Sequence, residues 1–433
     1  MSDAFVRTEM TPPQIPPITE RGVVKWLREN LFAGPYNTLL TLAAFYALYL
    51  LLRSVVPWLA NGVWNANSLQ ECRDIVTANA GEGATGACWA MIRERWNQFI
   101  FGLYPQDLYW RPAVAFALLF AAIAPVLFPK APRQLFWLTL FYPAIAFFLL
   151  WGGSIWAPVT AMLGFAVMMV VYRLLVPLTG VTVSAVLGVV AAVLWWLFLD
   201  DWVAGQLGNL MPIGLRSVGS DEFGGFLLAL VIGVTAISFS LPLGILLALG
   251  RQSDLPVVKM ICVGFIEFIR GVPLITLIFT AALLLGYFLP SGTNFDTVLR
   301  VIILVTFFAA AYLAEVIRGG LAALPRGQYE AADALGLDYW RAQRLIILPQ
   351  ALKISIPGIV STFIGLFKDT TLVSFVALLD PLRGVTSIVR ADLNWKGIYW
   401  EPYIFVGAIF FIICFGMSRY SMYLEKKLKT DHR

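Results

Sequence analysis

The sequence is poor in charge and nearly empty of the groups that enzymes use. Of its 433 residues only 13% are Asp, Glu, Lys or Arg, four are cysteine, and one, His432 in the terminal tail, is histidine. It has no metal-ligand cluster, no Ser or Cys with a histidine base, and no Gly-x-x-x-x-Gly-Lys phosphate loop. These absences speak against a membrane enzyme, a metal site or ATP hydrolysis by this chain. A secondary transporter coupled to protons places titratable groups at the bilayer midplane, and the terminal histidine does not serve that purpose. That class is the alternative reading. Lys and Arg number 31 against 26 Asp and Glu, a formal charge of +5, yet they form no aromatic-interleaved stripe, so nucleic acid is not expected as a partner.

Apolar side chains are abundant instead. They make up 59% of the chain, too many for a single soluble core of this size. Spanning a bilayer takes roughly 20 mostly apolar residues. Uncharged windows of that length run over 30–52, 174–199, 223–250 and 271–295. A longer one, 134–172, is punctuated by Pro143, Gly152, Gly153, Ser154 and Pro158 and reads as a helical hairpin. The expected fold is an all-α integral membrane protein of about ten transmembrane helices. They are placed near 36–58, 112–129, 134–151, 157–174, 180–199, 224–249, 257–289, 298–318, 354–378 and 402–422. Both termini are expected in the cytoplasm, because Arg21, Lys25, Arg28, Lys130, Arg133, Arg173, Arg251, Lys259, the run from Arg318 to Lys353, and Lys426, Lys427 and Lys429 then share one side. The Pro-rich stretch 11–17 ahead of the first apolar run does not read as a cleaved signal. Basic residues at 383–396 fall outside, beside Asp380, Asp392 and Glu401, in a segment read as an ordered cap.

The polar, Gly-rich segment 60–111 lies outside and holds Cys72 and Cys88, which an oxidising periplasm is expected to join. Cys262 and Cys414 lie in apolar spans and read as packing residues. Five segments follow: a cytoplasmic stretch 1–35, an extension of about five helices 36–201, a periplasmic connector 202–223, a second half 224–424 with a polar cytoplasmic loop 319–353, and a tail 425–433. A composition shift at 202–222 marks the boundary between the halves, and function is expected in the second.

Inside that loop, Leu324 to Leu337 is followed by Ile346, Ile347, Leu348 and Pro349. Pro325 and Gln328 open a short helix, Gly336 is suited to the left-handed cap that ends it, and Asp338 caps the next. Ala331, Ala332 and Gly336 leave little side chain on one face, which suits insertion into a groove of another protein. The spacing Glu-Ala-Ala, three residues, Gly, nine residues, Ile-x-Leu-Pro resembles the cytoplasmic coupling motif of ABC importer permeases. Residues 312–320, 267–274 and 368–374 resemble the polar amino-acid subfamily, the histidine and glutamine permease type. Length and layout resemble the extended permeases of general L-amino-acid and glutamate/glutamine/aspartate/asparagine uptake systems.

The resemblance implies a five-helix permease core over 224–424. It also implies that Glu330, Ala331, Ala332, Gly336 and Leu337 dock on a separate ATPase. ATP and Mg then belong to that partner, and no cofactor to this chain. The expected assembly is this chain, a homologous permease, an ATPase dimer and a periplasmic amino-acid-binding protein, in a bacterial inner membrane. Charged and hydroxyl residues within or near spans are the substrate-pathway candidates: Glu267, Arg270, Lys368, Asp369, Thr370, Thr371 and Ser374. Glu315 and Arg318, three apart on one helix face, read as an ion pair. Glu267 and Arg270 share that spacing and are placed deeper in a span, where an ionic pair is expensive without a function. Arg53 reads as a side chain that snorkels to the outer border.

Overall fold

Helices long and apolar enough to cross a membrane account for most of the chain in the computed structural model, which describes residues 22–128, 130–284, 287 and 296–428. The chain divides into two units at Arg93/Glu94.

The first unit holds α1 (Gly22–Asn30), α2 (Pro35–Ala60) and α3 (Leu69–Ala80). The span α2 buries no residue, and Arg53 on it is exposed. After it the chain is stapled: Cys72 and Cys88 are disulfide-bonded with Cα atoms 5.9 Å apart, and both are buried. Trp64 stacks on Trp89 with ring centroids 5.7 Å apart.

The second unit begins within α4 (Ala90–Phe101) and opens with a hairpin of α5 (Trp110–Leu127) and α6 (Leu135–Trp151). Tyr142 donates to the Ala115 carbonyl across it at 3.0 Å. Gly152 (φ +71°) and Gly153 (φ +79°) make the turn expected at that point, and Gly153–Ser154 (β1) pairs antiparallel with Gly214–Leu215 (β2). The next helix, α7 (Trp156–Leu194), is in fact two, because Gly180 (φ +79°, ψ 171°) leaves helical geometry in its middle. Trp195 Nε1 donates to Thr160 O at 3.0 Å and Trp196 Nε1 to Ala161 O at 2.9 Å, so the halves fold back on one another as a second hairpin. A π turn at Trp195–Leu199 then leads into α8 (Asp200–Leu210). Helix therefore persists well into the segment expected to be a connector.

The rest of the unit is built around α9 (Gly225–Gln252), α12 (Thr297–Ala322), α15 (Leu348–Asp369) and α17 (Trp400–Leu428). Small residues let α9 and α12 approach closely: a Cβ on Gly244 would lie 2.8 Å from Leu313 Cβ. Between them come α10 (Pro256–Gly271) and α11 (Leu274–Phe279), bent by 102° at the break before Pro273. Among the described residues, seven helices satisfy the length and apolarity of a membrane span, eight with the bent pair. Counting the 17-residue α6 and the two halves of α7 brings the tally in line with about ten.

Two features weld α4 to the second half of the chain. A Cβ on Gly102 would lie 2.3 Å from Gly224 Cα, and one on Gly225 (φ +56°) 2.1 Å from Phe99 O. Only glycine permits that backbone contact.

Candidate coupling surface and substrate pathway

The segment after α12 forms a compact turn. Helix α13 (Gly327–Ala334) is closed by Gly336 at φ +69°, with Gly336 N–H donating to Asp333 O (2.9 Å) and Leu337 N–H to Ala332 O (3.2 Å). These two bonds are the paired closure of a Schellman cap, which satisfies the last helical carbonyls. Asp338 Oδ1 then accepts from Arg341 N–H at 2.9 Å and starts α14 (Tyr339–Ala342). This helix is not a separate piece of the loop. It runs through a π turn (Gln343–Ile347) into α15, so the ascending helix begins at Tyr339 and not at 354.

The five coupling candidates do not share one surface. Glu330, Ala331 and Gly336 are exposed and Leu337 is half-buried, but Ala332 is 1% exposed. Its small side chain lets α13 sit against its own chain, so it is a seat for the helix and no part of an outward face. Tyr329 packs on the cluster of Leu321, Leu324 and Ile347, and Gln350 donates to Gln328 at 2.9 Å, which anchors α13 from both sides. The exposed surface instead gains Leu335, Tyr339 and Trp340. Sequence spacing gave no sign of this, since exposure depends on which side of α13 meets the helices above it.

The ionic residues at 267, 270, 315 and 318 are brought together: Glu315 and Arg318 pair as their spacing suggests, whereas Glu267 and Arg270 each pair with a different element. Arg251, at the end of α9, lies 2.8 Å from Glu267 and 2.9 Å from Glu315 Oε1. The second contact is close without being aligned as a hydrogen bond. Glu315 Oε2 accepts from Arg318 Nε at 3.1 Å and faces Arg270 at 3.7 Å, and the Arg270 guanidinium stands 5.3 Å from the Tyr312 ring centroid. Glu267 and Arg270 are therefore not a pair buried deep in a span. A Cβ on Gly250 would meet Cys262 Sγ at 2.4 Å, so the middle of α10 as well as its end lies against the end of α9. Helix α10 runs along that end of the bundle, and the expected crossing at 257–289 starts only at Leu274. The last part of that crossing lies largely outside the described residues. Val257, Met260, Ile261 and Phe268 on α10 are exposed, an apolar stripe at helical spacing that suits the membrane border.

The pathway candidates at 368–374 sit where α15 ends and a 3-10 turn, Thr370–Val376, begins. Thr370 is fully buried and donates to Phe367 O at 2.7 Å, so it is a packing residue. Thr371 and Ser374 donate to Lys368 O and Thr371 O, both at 2.9 Å. Their protons are spent locally, and only their acceptor lone pairs are left for a ligand. Lys368 is exposed and Asp369, Thr371 and Ser374 are half-buried.

The basic residues beyond this turn lie in an ordered cap. Helix α16 (Pro381–Ala391) starts at Asp380, whose carboxylate accepts from Leu382 N–H (3.0 Å) and Arg383 N–H (3.1 Å). Arg383 donates to Ser374 O at 2.7 Å, tying the cap to the 3-10 turn. Burial pushes the Asp380 carboxyl up to about 6 despite those bonds. Arg95 pairs with Asp392, and Trp395 donates to Glu94 at 2.9 Å. Among the described residues no group of His, Cys, Asp and Glu side chains is arranged to hold a metal ion.

Residues 240–430 match the family described as binding-protein-dependent transport system inner membrane component. The chain is 66% identical over 434 residues, covering 100% of both proteins, to the glutamate/glutamine/aspartate/asparagine transport system permease protein of Rhodobacter capsulatus. The chain belongs to the amino-acid ABC transporter permease family. The permease is also 38% identical over 408 residues to an inner membrane amino-acid ABC transporter permease of Escherichia coli K12, across 94% of this chain and 93% of that one. A solved structure described as an amino acid ABC transporter with histidines matches at 29% identity and a TM-score of 0.41, over 46% of this chain and 91% of that one. The permease is thus a multi-pass membrane protein of an inner-membrane family.

Proposed function

We propose that the permease supplies half of the translocation pathway of an ATP-driven importer for acidic amino acids and their amides. The observation that carries this reading is full-length identity of 66% to a permease named for glutamate, glutamine, aspartate and asparagine, extension included. Residues 224–424 form the translocating core in this reading, and 36–201 an extension that braces it. Both termini and the coupling loop 319–353 are cytoplasmic. Glu330, Ala331, Leu335, Gly336 and Leu337 dock on an ATPase subunit, where ATP and Mg are bound, while Ala332 holds the docking helix to its own chain. A homologous permease and a periplasmic binding protein complete the assembly. Access alternates when two ATPases close on nucleotide and tilt the permease pair.

Support for the orientation comes from the ion cluster. Arg251 and Glu315 lie near the carboxyl ends of α9 and α12, so the two helices run parallel, and the coupling turn follows α12 at that same end. A zwitterion needs both donors and acceptors. Lys368 and Asp369, with the acceptor oxygens of Thr371 and Ser374, offer them beside the pathway.

The test is uptake of labelled glutamate into vesicles that hold this chain with its permease partner, ATPase and binding protein, in competition with unlabelled amino acids. Uptake is expected to require ATP and all four components, to be competed by glutamine, aspartate and asparagine, and to change its preference in Thr371→Val with Ser374→Ala. Transport by the purified chain alone, driven by a proton gradient, overturns the reading. An unchanged competition profile in the double variant removes Thr371 and Ser374 from the pathway.

A further inference from the structure

The second unit holds a crevice of about 920 Å³. The hairpin α5–α6 forms one wall and α9, α12 and α17 the other. Its lining is aliphatic and aromatic, with Phe116, Leu119, Phe147, Leu230, Phe239 and Ile302 representative. Three of the hydroxyls on its wall are already engaged with protein: Ser238 donates to Val234 O (2.7 Å), Tyr142 to Ala115 O (3.0 Å), and Ser220 accepts from Trp151 Nε1 (2.7 Å). Phe116, Phe147 and Phe239 are 43%, 43% and 48% exposed and lie within apolar helices, so the mouth opens sideways toward the membrane and not toward water.

Such a space does not stay empty. Packing this loose forfeits the dispersion contacts that hold helices together, above all in a bilayer, where no hydrophobic effect drives helix against helix. Water is a poor filler, because it needs two to four polar partners, and a dry apolar cavity of only about 150 Å³ already takes up benzene. The filler that the surroundings supply in excess is hydrocarbon. We propose that the crevice is a binding site for phospholipid acyl chains, which fill the seam between the extension hairpin and the core and join them. The site takes the apolar tail and not a particular headgroup, since the one charged residue among its lining, Asp296, is exposed at the start of α12 and carries the same sign as a phosphate. The inference needs only that these helices lie in a bilayer, and it stands apart from the coupling and substrate assignments.

The test uses the full complex in nanodiscs of phosphatidylethanolamine and phosphatidylglycerol that carry a photoactivatable diazirine in the acyl chain. After exchange into unlabelled detergent micelles and illumination, labelled peptides are mapped. Label is expected to persist on 112–119, 142–151 and 230–239, and to be at least five-fold weaker on 181–194, where most side chains are exposed and none lines this crevice. Ala146→Trp, and separately Ser238→Phe, fill the space and are expected to abolish the retained label while ATPase attachment persists. Should either variant fail to assemble, the wild-type pattern decides alone. Equal washout from crevice and control segments overturns the proposal. So does efficient disulfide cross-linking of Phe239→Cys to the partner permease in the absence of label, which makes the crevice a subunit interface.

Discussion

Gly336 is the position at which the coupling turn is most exposed to a single substitution, and the structure separates two ways in which a side chain there acts. Its backbone sits at φ +69°, a region that costs an ordinary residue about 1 kcal/mol, or roughly a five-fold shift toward a frayed turn. A Cβ built on it meets nothing within 4 Å, so the chain itself has room for any replacement. A loss larger than about 1 kcal/mol therefore has to come from whatever occupies the space outside. Three variants distinguish the causes. Gly336→Ala adds backbone strain with almost no bulk, Gly336→Asn adds bulk with little strain because asparagine tolerates the left-handed region, and Gly336→Asp adds bulk and charge. If a close-fitting ATPase groove receives this turn, Asn and Asp lose ATPase attachment and uptake, and Ala retains most of both. If strain alone mattered, Ala would be the worst and all three mild. The assay is affinity capture of the complex from membranes, reading bound ATPase and hydrolysis stimulated by the binding protein. All three variants should insert and fold, because nothing within the spans changes. Normal attachment with normal stimulated hydrolysis in Gly336→Asp refutes the assignment of this segment to coupling.

Other outcomes follow from particular contacts. Asp380 has a folded-state pKa of about 6 against an unfolded value near 3.8, so its ionised form is disfavoured by folding and costs about 3 kcal/mol above pH 6. That penalty fades as pH falls from 6 toward 3.8. Asp380→Asn, which keeps the cap acceptor, should raise the denaturation midpoint at pH 7.5 and leave it nearly unchanged near pH 4, and parallel pH profiles would refute this. Cys72 and Cys88 are 2% and 1% exposed, so protection from a thiol reagent in the native state proves nothing. Both should stay unmodified after denaturation without reduction, and replacing both with serine should cost about 3 kcal/mol of that cap's stability, read by limited proteolysis. Glu315→Gln leaves Arg251, Arg270 and Arg318 with Glu267 as the only carboxylate of the cluster and should cost about 2 kcal/mol, midway between exposed and buried pairs, measured as a lowered melting temperature in detergent. An unchanged midpoint would mean that solvent already screens the cluster.

Much of this protein was legible from the order of its residues alone. Lipid requires every backbone group to be bonded within its own helix, so apolar length by itself announces the spans. The break at Gly152 follows from glycine's freedom at positive φ, and the separate spans placed at 157–174 and 180–199 meet at Gly180, where the near-continuous helix shows how little chain such a turn uses. The cap at Gly336 and the start at Asp338 are local, made of bonds between residues a few positions apart, and local bonds are what sequence spacing encodes.

What the sequence left open depended on contacts between distant elements. Glu267 and Arg270, three residues apart, invited pairing with each other, yet the 102° bend after α10 lays that helix across the end of α9 and gives Glu267 to Arg251. Arg251 itself looked like nothing more than a mark of the cytoplasmic side. Ala332 and Ala331 are the same residue type in the same motif, and only the packing of α13 under the core turns one inward and the other out. The hydroxyls at 370–374 looked available because hydropathy counts polar groups without asking which carbonyls lie beside them, whereas the 3-10 turn places a backbone acceptor three residues before each. Periodicity and motif report each residue's own chemistry, and tertiary structure decides which neighbour satisfies it.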